Sequence, residues 1–368
     1  MSESEMVDVA IVGAGFSGLS CARQIQSHGY SAIVLEKSKG LGGRVATRRV
    51  GNTCFNYGAR YFQAHGAHTK ALLQEMQNIS DADTPQLTSW PRTRVAMNCD
   101  GSYQVLPQAD GYLPSNGMTA IAKYLARGLD VRRQHRVQSL HFTDDRMWEI
   151  YTDPHGEPVL KTRAVVLAMP APQALTLLAP LTQLGLSSDV LDAVQSVEFS
   201  PCFTVITGYS ASHEFNHPTR RSEWDEICFA PGSDIDWLGL TRSPDLSTAH
   251  LPEANTEERD HAQSHIVVSQ SSPAFAEQYL HETDRQGVGD RLLERLSYQL
   301  KEPALQHPDW MQVHLWRYSF CKKPTVHPFL LTLSPGIIGC AGDWCRGQTI
   351  EHALSSGVSL GHALSQRL

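Results

Sequence analysis

Three glycines near the start of the chain have the spacing of a loop that binds a pyrophosphate. Gly13, Gly15 and Gly18 follow an apolar, β-branched run at residues 7–12 and lead into the helical spacing of residues 18–27. Glycine lets the backbone approach a phosphate closely, and the N–H groups and positive dipole end of the following helix bind the anion. The predicted contacts of this loop are Gly13, Ala14, Gly15, Phe16, Ser17 and Gly18.

An acidic residue ends the next predicted strand. Glu36 follows a strand pattern at residues 31–35 and lies 18 residues after Gly18. Its carboxylate is placed to accept hydrogen bonds from both hydroxyls of an adenosine ribose, and it repels a 2′-phosphate. A glycine turn in an ordinary α/β unit is the alternative, but strand, spacing and acid together favour a bound dinucleotide.

The elements that must position these residues follow from hydrophobic periodicity. Residues 7–35 form a βαβ unit, and later segments alternate between strand and helix patterns, which predicts an α/β fold. The other predicted elements are a helix at 117–127, strands at 131–142, 147–151 and 163–168 with a turn at 153–156, a helix followed by a loop at 172–195, a strand at 202–208, loops and short strands in the polar segment 211–263, a strand at 265–270, a helix pair at 273–300, strands at 311–319 and 336–341, and a helix at 349–366.

The composition excludes several other classes of protein. The 368 residues carry a formal net charge of -7 without a run of five or more Lys and Arg, which argues against nucleic acid and anionic membranes as partners. Eight cysteines without a C-x-x-C pair indicate neither a zinc site nor a disulfide framework. The N-terminal apolar run lacks a basic flank and is too short to span a bilayer. We therefore expect a soluble cytoplasmic protein with a small-molecule substrate and no metal; its oligomeric state stays open.

A second block, EKSKGLGGR at residues 36–44, narrows the choice of dinucleotide. It resembles the pattern of flavoproteins with two dinucleotide-binding folds in the amine oxidase superfamily. The resemblance implies FAD as the cofactor, with Lys37 and Gly43 at its site and Arg44 near the pyrophosphate.

The C-terminal block IIGCAGDWCRGQTIEHALSSG, residues 337–357, is similar to the flavin motif of the same superfamily. That similarity implies that Gly342 and Asp343 contact the ribityl chain. Backbone N–H groups near Thr349 and Ile350 would face the flavin at a helix N-terminus, where negative charge develops on reduction.

Two segments in the middle of the chain complete the resemblance. HRVQSL, residues 135–140, resembles the strand over the adenine, where Val137 would make a backbone contact, and VVLAMPAP, residues 165–172, resembles the strand that returns to the cofactor. The chain has no second G-x-G-x-x-G after a strand, so it encodes no separate nicotinamide-binding domain. The substrate itself must then donate the hydride, as in an oxidase or dehydrogenase.

The blocks GGRVATRR, NYGARYF, WRYS and GDWC closely resemble the renalase family, including its bacterial members. The resemblance implies a Rossmann-like FAD domain with an interleaved α+β substrate domain. It also implies oxidation of aberrant 2- or 6-dihydro isomers of NAD(P)H, with O2 as the acceptor and H2O2 as the product. The predicted FAD domain comprises residues 1–64, 117–170 and 335–368, and the substrate domain comprises residues 65–116 and 171–334.

The chain departs from the family at two positions. Asn56 stands where the family has Asp, and Arg60 stands where it has Gln. The cation at Arg60 either contacts a carboxylate or phosphate of the substrate or forms an outward salt bridge. Hydride loss from a dihydropyridine needs flat walls and no general base. The residues predicted to provide walls and anion contacts are Arg60, Tyr61, Phe62, Trp316, Arg317 and Tyr318, and the proposed catalytic set is Arg60, Tyr61, Trp316 and Arg317.

Two other functions remain open on the sequence. An amine or cyclic-metabolite oxidase of the same superfamily is one, and a flavin-free binding protein like the Rab escort proteins is the other. The intact glycine loop, Glu36 and Asp343 argue against the flavin-free protein. The residues around Cys54 lack the S-G-G-C-Y context of a covalent flavin link, so the cofactor is expected to be non-covalent. His65 and His68 lack a carboxylate partner in sequence and are not expected to bind a metal.

Overall fold

A computed structural model describes residues 5–50, 53–79, 81, 84–91, 93–98, 100–153, 155–210, 225–241 and 265–368. The strands of this part of the chain are β1 (Met6–Val12), β2 (Ala32–Glu36), β3 (Thr47–Val50), β4 (Thr53–Asn56), β5 (Phe62–Gln63), β6 (Leu87–Ser89), β7 (Arg94–Met97), β8 (Tyr103–Leu106), β9 (Gly111–Pro114), β10 (Asp130–Arg133), β11 (Ser139–Phe142), β12 (Trp148–Tyr151), β13 (Leu160–Leu167), β14 (Glu198–Tyr209), β15 (Glu226–Phe229), β16 (Ile235–Thr241), β17 (His265–Ser271), β18 (Trp310–Lys323), β19 (Leu330–Thr332) and β20 (Ile337–Cys340). The α-helices are α1 (Phe16–Ser27), α2 (Ala67–Asn78), α3 (Thr119–Leu125), α4 (Ala171–Leu178), α5 (Ser188–Gln195), α6 (Pro273–Gln278), α7 (Arg285–Leu300) and α8 (Ile350–Ser365), and short 3₁₀ helices cover Ala179–Leu184 and Pro303–Gln306.

The first sheet has a parallel centre in the order β10-β2-β1-β13-β20. The antiparallel strands β12 and β11 extend it from the first half of β13, and β19 pairs with β20. Alternate side chains of β1 enter two different cores: Val9 and Ile11 pack with α1 and α8, whereas Ala10 and Val12 pack with α4. Because helices cover both faces, these strands read as continuous apolar runs, as expected for a buried parallel sheet.

The second sheet has the order β18-β14-β17-β16-β15-β7-β8, and only the β15–β7 pair is parallel. One of its faces packs on α6 and α7 through residues such as Phe203 and Val205. The opposite face carries Ile206 and Val268, which pack with Phe55 of β4. Directly opposed residues of paired strands share a face, so His314 and Trp316 of β18, opposite Thr204 and Cys202, point away from the helices.

Two small sheets join the larger ones. β3 and β4 form an antiparallel hairpin, and β5, β9 and β6 form a three-stranded sheet. The segment 53–62 thus leaves the hairpin as β4, crosses a loop and ends at β5. This path carries the chain from the glycine-rich loops toward the second sheet.

Several sequence predictions need correction. The single strand predicted at 131–142 is two strands, because Gln134 adopts a positive φ of 64° and the segment 134–138 leaves the sheet. The loop predicted to follow the helix within residues 172–195 instead contains a 3₁₀ helix and α5. The short strands predicted in the polar segment 211–263 agree with β15 and β16, which lie within residues 225–241, while residues 211–224 and 242–264 lie outside the described residues.

The domain boundaries stay a prediction, and the packing differs from them at three places. α2 lies in the predicted substrate domain, but Leu72, Leu73 and Met76 pack in the core of the first sheet. α4 and α5 cover the other face of that sheet. β19 also pairs with the first sheet, although it precedes the predicted boundary at residue 335.

Candidate active site

A cavity of about 1150 Å³ lies between the two large sheets. The carboxyl ends of β1 and β2 open into it, as is usual for ligand sites of parallel sheets, and so does the helix-free face of β18. Of the residues predicted to form the site, those that line the cavity are Gly13, Gly15, Phe16, Ser17, Glu36, Lys37, Gly43, Arg44, Arg60, Tyr61, Val137, Trp316, Arg317, Tyr318, Gly342, Asp343, Thr349 and Ile350.

The glycine loop leaves open space at the start of α1. Gly15 is the N-cap of α1, and a Cβ placed on it would meet no protein atom within 4 Å. Gly13 has a φ of +111°, which only glycine adopts readily, and a Cβ there would lie 2.4 Å from the carbonyl oxygen of Ala168. The free N–H groups of the first helical turn therefore face a space that suits a phosphate.

Two predicted loop residues do not line the cavity. A Cβ on Gly18 would lie 2.0 Å from the carbonyl oxygen of Gly13, so this glycine allows the helix to pack on its own loop. Ala14 is buried, and its backbone N–H donates to Glu36 Oε2 at 2.9 Å. Both residues therefore support the conformation of the loop from the side that faces away from the cavity.

Glu36 is buried at the end of β2 and is held in place by two backbone donors. Ala14 N–H donates to Oε2 and Ser38 N–H donates to Oε1 at 2.8 Å. Each carboxylate oxygen keeps a further lone pair for a ribose hydroxyl in the cavity. Next to it, the Lys37 ammonium donates to Gln173, and burial, together with the charge of Arg136, lowers the pKa of Lys37.

A second helix N-terminus faces the same cavity. Thr349 caps α8, since its Oγ1 accepts from the N–H of His352 at 3.4 Å. α8 packs directly on α1, and a Cβ on Gly357 would lie 2.1 Å from the carbonyl oxygen of Ser17. The start of α1 thus lies beside the middle of α8, and the two positive helix ends line the cavity at separate points, which suits a ligand with a pyrophosphate and a second electron-rich group.

Arg44 and Asp343, which are both predicted to contact the cofactor, form an ion pair with each other. Nη1 of Arg44 lies 2.8 Å from Oδ2 of Asp343, and Nη2 contacts Oδ1. Nη1 also donates to the carbonyl of Ser319, and the guanidinium lies over the ring of Phe199. Arg44 thus links the glycine-rich loop to the segment that follows β20.

Arg60 is on the cavity wall and is also in a salt bridge. Its Nη2 pairs with Asp236, and its Nε donates to Gln270 Oε1 at 2.8 Å. The guanidinium stacks on Trp237 at 4.8 Å from the ring centroid. Since Asp236 also lines the cavity, the pair presents a cation and an anion together, and the charge of Arg60 is compensated.

Asn56 is the other position at which the chain departs from the renalase pattern. Its side chain forms hydrogen bonds within the protein. Its Oδ1 accepts from Thr47 Oγ1 at 2.8 Å and from the N–H of Met118 at 2.9 Å. Its Nδ2 donates to the carbonyl of Arg60 at 3.3 Å. An ionised Asp would lack that donor, so the amide fixes the backbone that presents Arg60.

Three rings form an aromatic wall, defined here as Tyr57, His314 and Trp316. Tyr57 and Trp316 stack at 5.2 Å, and His314 meets Trp316 edge-on at 4.3 Å. Trp316 Nε1 and Thr204 Oγ1 both donate to the carbonyl of Tyr57, at 2.8 and 2.9 Å. Sequence reasoning missed Tyr57 and His314; alternation along a strand, which puts residue 314 on the face of residue 316, was the signal for the histidine.

The other predicted residues divide between the cavity and its surroundings. Tyr61 lines the cavity with its ring against Trp90 at 5.4 Å, and burial raises its pKa. Arg317 is exposed at the cavity and forms no ion pair within the described part of the chain. Val137 lines the cavity from the segment between β10 and β11, not from a strand. Phe62 is fully buried in the core.

Residues considered for other roles lie away from the cavity. Cys54 does not line it and instead contacts the carbonyl of Ser115. His68 pairs with Glu351, which caps α2, and the described residues contain no group of three potential metal ligands. No described helix is both long and apolar enough to cross a membrane.

Comparison with known proteins identifies the family. A model described as an NAD(P)-binding Rossmann-like domain matches residues 11–76, and one described as flavin containing amine oxidoreductase matches residues 87–359, more than half of the chain. The chain belongs to the flavin-containing amine oxidoreductase family. The two helix N-termini, the open Gly15 and the Glu36 carboxylate fit the dinucleotide form of the flavin, so the cofactor is FAD.

Curated relatives match only short segments. Protein anon-37Cs of Drosophila lebanonensis is 39% identical over 70 residues, which are 18% of this chain and 13% of that protein. Nicotine dehydrogenase of Pseudomonas putida is 32% identical over 97 residues, 26% of this chain and 20% of the enzyme. The matched segments thus span a fifth or less of these relatives.

Solved structures match over the whole fold. Cyclohexylamine oxidase from Brevibacterium oxydans superposes with a TM-score of 0.71 at 12% identity, covering 98% of this chain and 99% of that one. Putrescine oxidase bound to putrescine gives a TM-score of 0.68 at 13% identity, covering 98% and 99%. This likeness establishes the two-sheet flavoprotein fold of the α/β class.

Proposed function

We propose that the protein is an FAD-dependent oxidase that takes a hydride from a small planar substrate and passes the electron pair to O2. The preferred substrate is an aberrant 2- or 6-dihydro isomer of NAD(P), as in the renalase family. Hydride loss gives NAD(P)+, and O2 takes up the electron pair and proton of that hydride together with one further proton to become H2O2. When bound, the flavin accepts the hydride and supplies the electrons to O2.

The aromatic wall is the observation that supports a planar substrate. The stacked Tyr57 and Trp316 rings are fixed by the hydrogen bond from Trp316 to the carbonyl of Tyr57, so the wall is rigid before the substrate binds. A dihydropyridine becomes aromatic as it loses the hydride, so positioning against the flavin is the main requirement. The exposed Arg317 guanidinium at the cavity provides a contact for a substrate phosphate.

An amine or cyclic-metabolite oxidase is the second candidate. The Asp236 carboxylate is 44% exposed at the cavity, and together with the aromatic wall it offers an anion and ring faces to a cationic amine. Arg60 opposes this function, because its guanidinium compensates Asp236. A flavin-free binding protein is the third possibility. Such a protein would not need the open space at Gly15 or the two helix N-termini at the cavity, so these features argue against it.

Anaerobic flavin reduction tests the proposed function. The purified holoenzyme is mixed without O2 with the 2- and 6-dihydro isomers of NAD(P), with ordinary NADPH, and with cyclohexylamine, putrescine and nicotine. We expect the dihydro isomers to bleach the flavin fastest, and O2 then to restore its colour with formation of H2O2. Faster bleaching by an amine would replace the proposed substrate with the second candidate, and colourless purified protein that does not take up FAD would rule out both.

We also propose a cytoplasmic location. The described cysteines are free thiols, and five of them (Cys21, Cys202, Cys321, Cys340 and Cys345) are buried in apolar cores, where burial raises the thiol pKa. Protein recovered from a cellular fraction other than the cytoplasm would contradict this.

A further inference from the structure

His314 is the polar member of the aromatic wall. It lies on β18 two residues before Trp316 and opposite Thr204, so its side chain is on the helix-free face of the second sheet. Its ring meets Tyr57 edge-on at 5.1 Å and Trp316 at 4.3 Å, and it lines the cavity. Two aromatic contacts therefore fix the plane of the imidazole.

The side-chain nitrogens of His314 form no hydrogen bond with the described residues of the protein. Neither nitrogen is fully buried, because the fully buried side-chain atom without a partner in this part of the chain is Nη1 of Arg285. Both nitrogens therefore reach the space of the cavity. A polar group held this way forms its hydrogen bonds with water or with a ligand, and it loses free energy if a ligand excludes water without replacing those bonds.

The surroundings keep the imidazole uncharged. Burial, together with the charge of the nearby Arg48, lowers the pKa of His314 to about 4. Arg48 is fixed over Tyr57 at 4.9 Å by its hydrogen bond to Gln312. At neutral pH the ring therefore offers one N–H donor and one lone-pair acceptor.

Resting on the function proposed above, we propose that His314 recognises the carboxamide of the nicotinamide ring. A neutral imidazole can donate its N–H to the carbonyl of a carboxamide or accept a hydrogen bond from its NH₂, whereas a charged ring can only donate. An uncharged imidazole also places no cation beside a ring that becomes positive when it loses its hydride. Tyr57 and Trp316 then select a flat ring, and His314 selects its polar substituent.

Equilibrium binding to the oxidised holoenzyme tests this without redox chemistry. We expect His314→Phe, which keeps an aromatic ring and removes both nitrogens, to weaken binding of NAD+ about tenfold, the effect of losing one hydrogen bond to a group then left unpaired. Binding of ADP-ribose, which lacks the nicotinamide ring, should not change. His314→Gln, which retains a donor and an acceptor, should recover most of the NAD+ affinity.

The controls separate the recognition step from folding and from the proposed function. His141→Phe is the matched control, because His141 also contacts a tyrosine ring, at 4.5 Å, but lies on β11 outside the cavity. His314→Met replaces the Phe variant if that variant loses FAD. Unchanged NAD+ affinity in a flavin-loaded variant, while dihydronicotinamides still reduce the wild-type flavin, would overturn the role of His314 alone. If no dihydronicotinamide reduces the wild-type flavin, the proposed function is wrong, and the proposed recognition of a carboxamide by His314 is wrong as well.

Discussion

The ion pair between Arg44 and Asp343 joins two parts of the cavity wall that are 299 residues apart. The Asp343 side chain is 8% exposed and that of Arg44 is 31% exposed. Removing one partner of such a pair leaves a partly buried charge without compensation, which costs more than the pair itself contributes. Asp343→Ala should therefore lower the free energy of unfolding by about 1–3 kcal/mol and should weaken FAD retention.

A double-mutant cycle with Arg44→Ala checks this prediction. Denaturant unfolding of the two single variants and the double variant should give less-than-additive losses, since the second substitution removes the charge that the first left unpaired. The control is Asp145→Ala, which breaks the exposed pair with Lys161 and should leave the free energy of unfolding nearly unchanged. Additive losses, or unchanged flavin content in Asp343→Ala, would contradict the assigned role of the pair.

At the residue scale, local sequence predicted the cofactor contacts better than the substrate wall. Gly15 and Glu36 are tied to the ends of adjacent strands, so their spacing alone places them together. Tyr57 meets His314 only because β14 and β18 bring Thr204 and Trp316 to its carbonyl. That contact depends on tertiary packing and has no signature in either segment.

Helices α1 and α8 form the element on which the cofactor site depends. Gly357 of α8 packs against the backbone of Ser17, and Gly361 against the backbone of Cys21, so the helices approach more closely than side chains would allow. Gly357→Ala would place a Cβ 2.1 Å from the carbonyl oxygen of Ser17, an atom that cannot rotate away. We expect a loss of about 1–3 kcal/mol in unfolding free energy together with weaker FAD binding, because both N-termini would shift.

Thermal unfolding and FAD titration of the Gly357→Ala variant measure the two effects. His362→Ala, at an exposed position of the same helix, is the control and should change neither quantity appreciably. A variant with wild-type stability and FAD affinity would mean that the close approach of the helices is not required at this point.

At the element scale, the sequence predicts the positions of strands with strong apolar runs but not those of short polar strands. β1, β2 and β13 are buried on both faces, so their sequences are unambiguous. The hairpin of β3 and β4 was not predicted, and β15 and β16 were expected only as short strands without stated bounds in the segment 211–263. The sequence of β3, TRRV, carries two arginines, and β15 contains Glu226, whose carboxylate is fully buried by its pairing with Arg94 and Trp237. A buried charge is permitted by partners that the local sequence does not show.

At the scale of the whole molecule, one cavity is built from both large sheets, so cofactor binding and folding should be linked. For the wild-type protein, FAD at 100 times its dissociation constant should raise the free energy of unfolding by about 2.7 kcal/mol relative to the same protein without FAD. Gly15→Val isolates this linkage, because a Cβ at this position meets no protein atom within 4 Å and the side chain enters the space assigned to the pyrophosphate. The FAD-free variant should therefore unfold like FAD-free wild type but gain little stability from added FAD. Gln26→Ala, on the exposed part of α1, serves as the control and should retain the full gain. A Gly15→Val protein that is stabilised by FAD as strongly as wild type would show that the pyrophosphate does not bind at the start of α1.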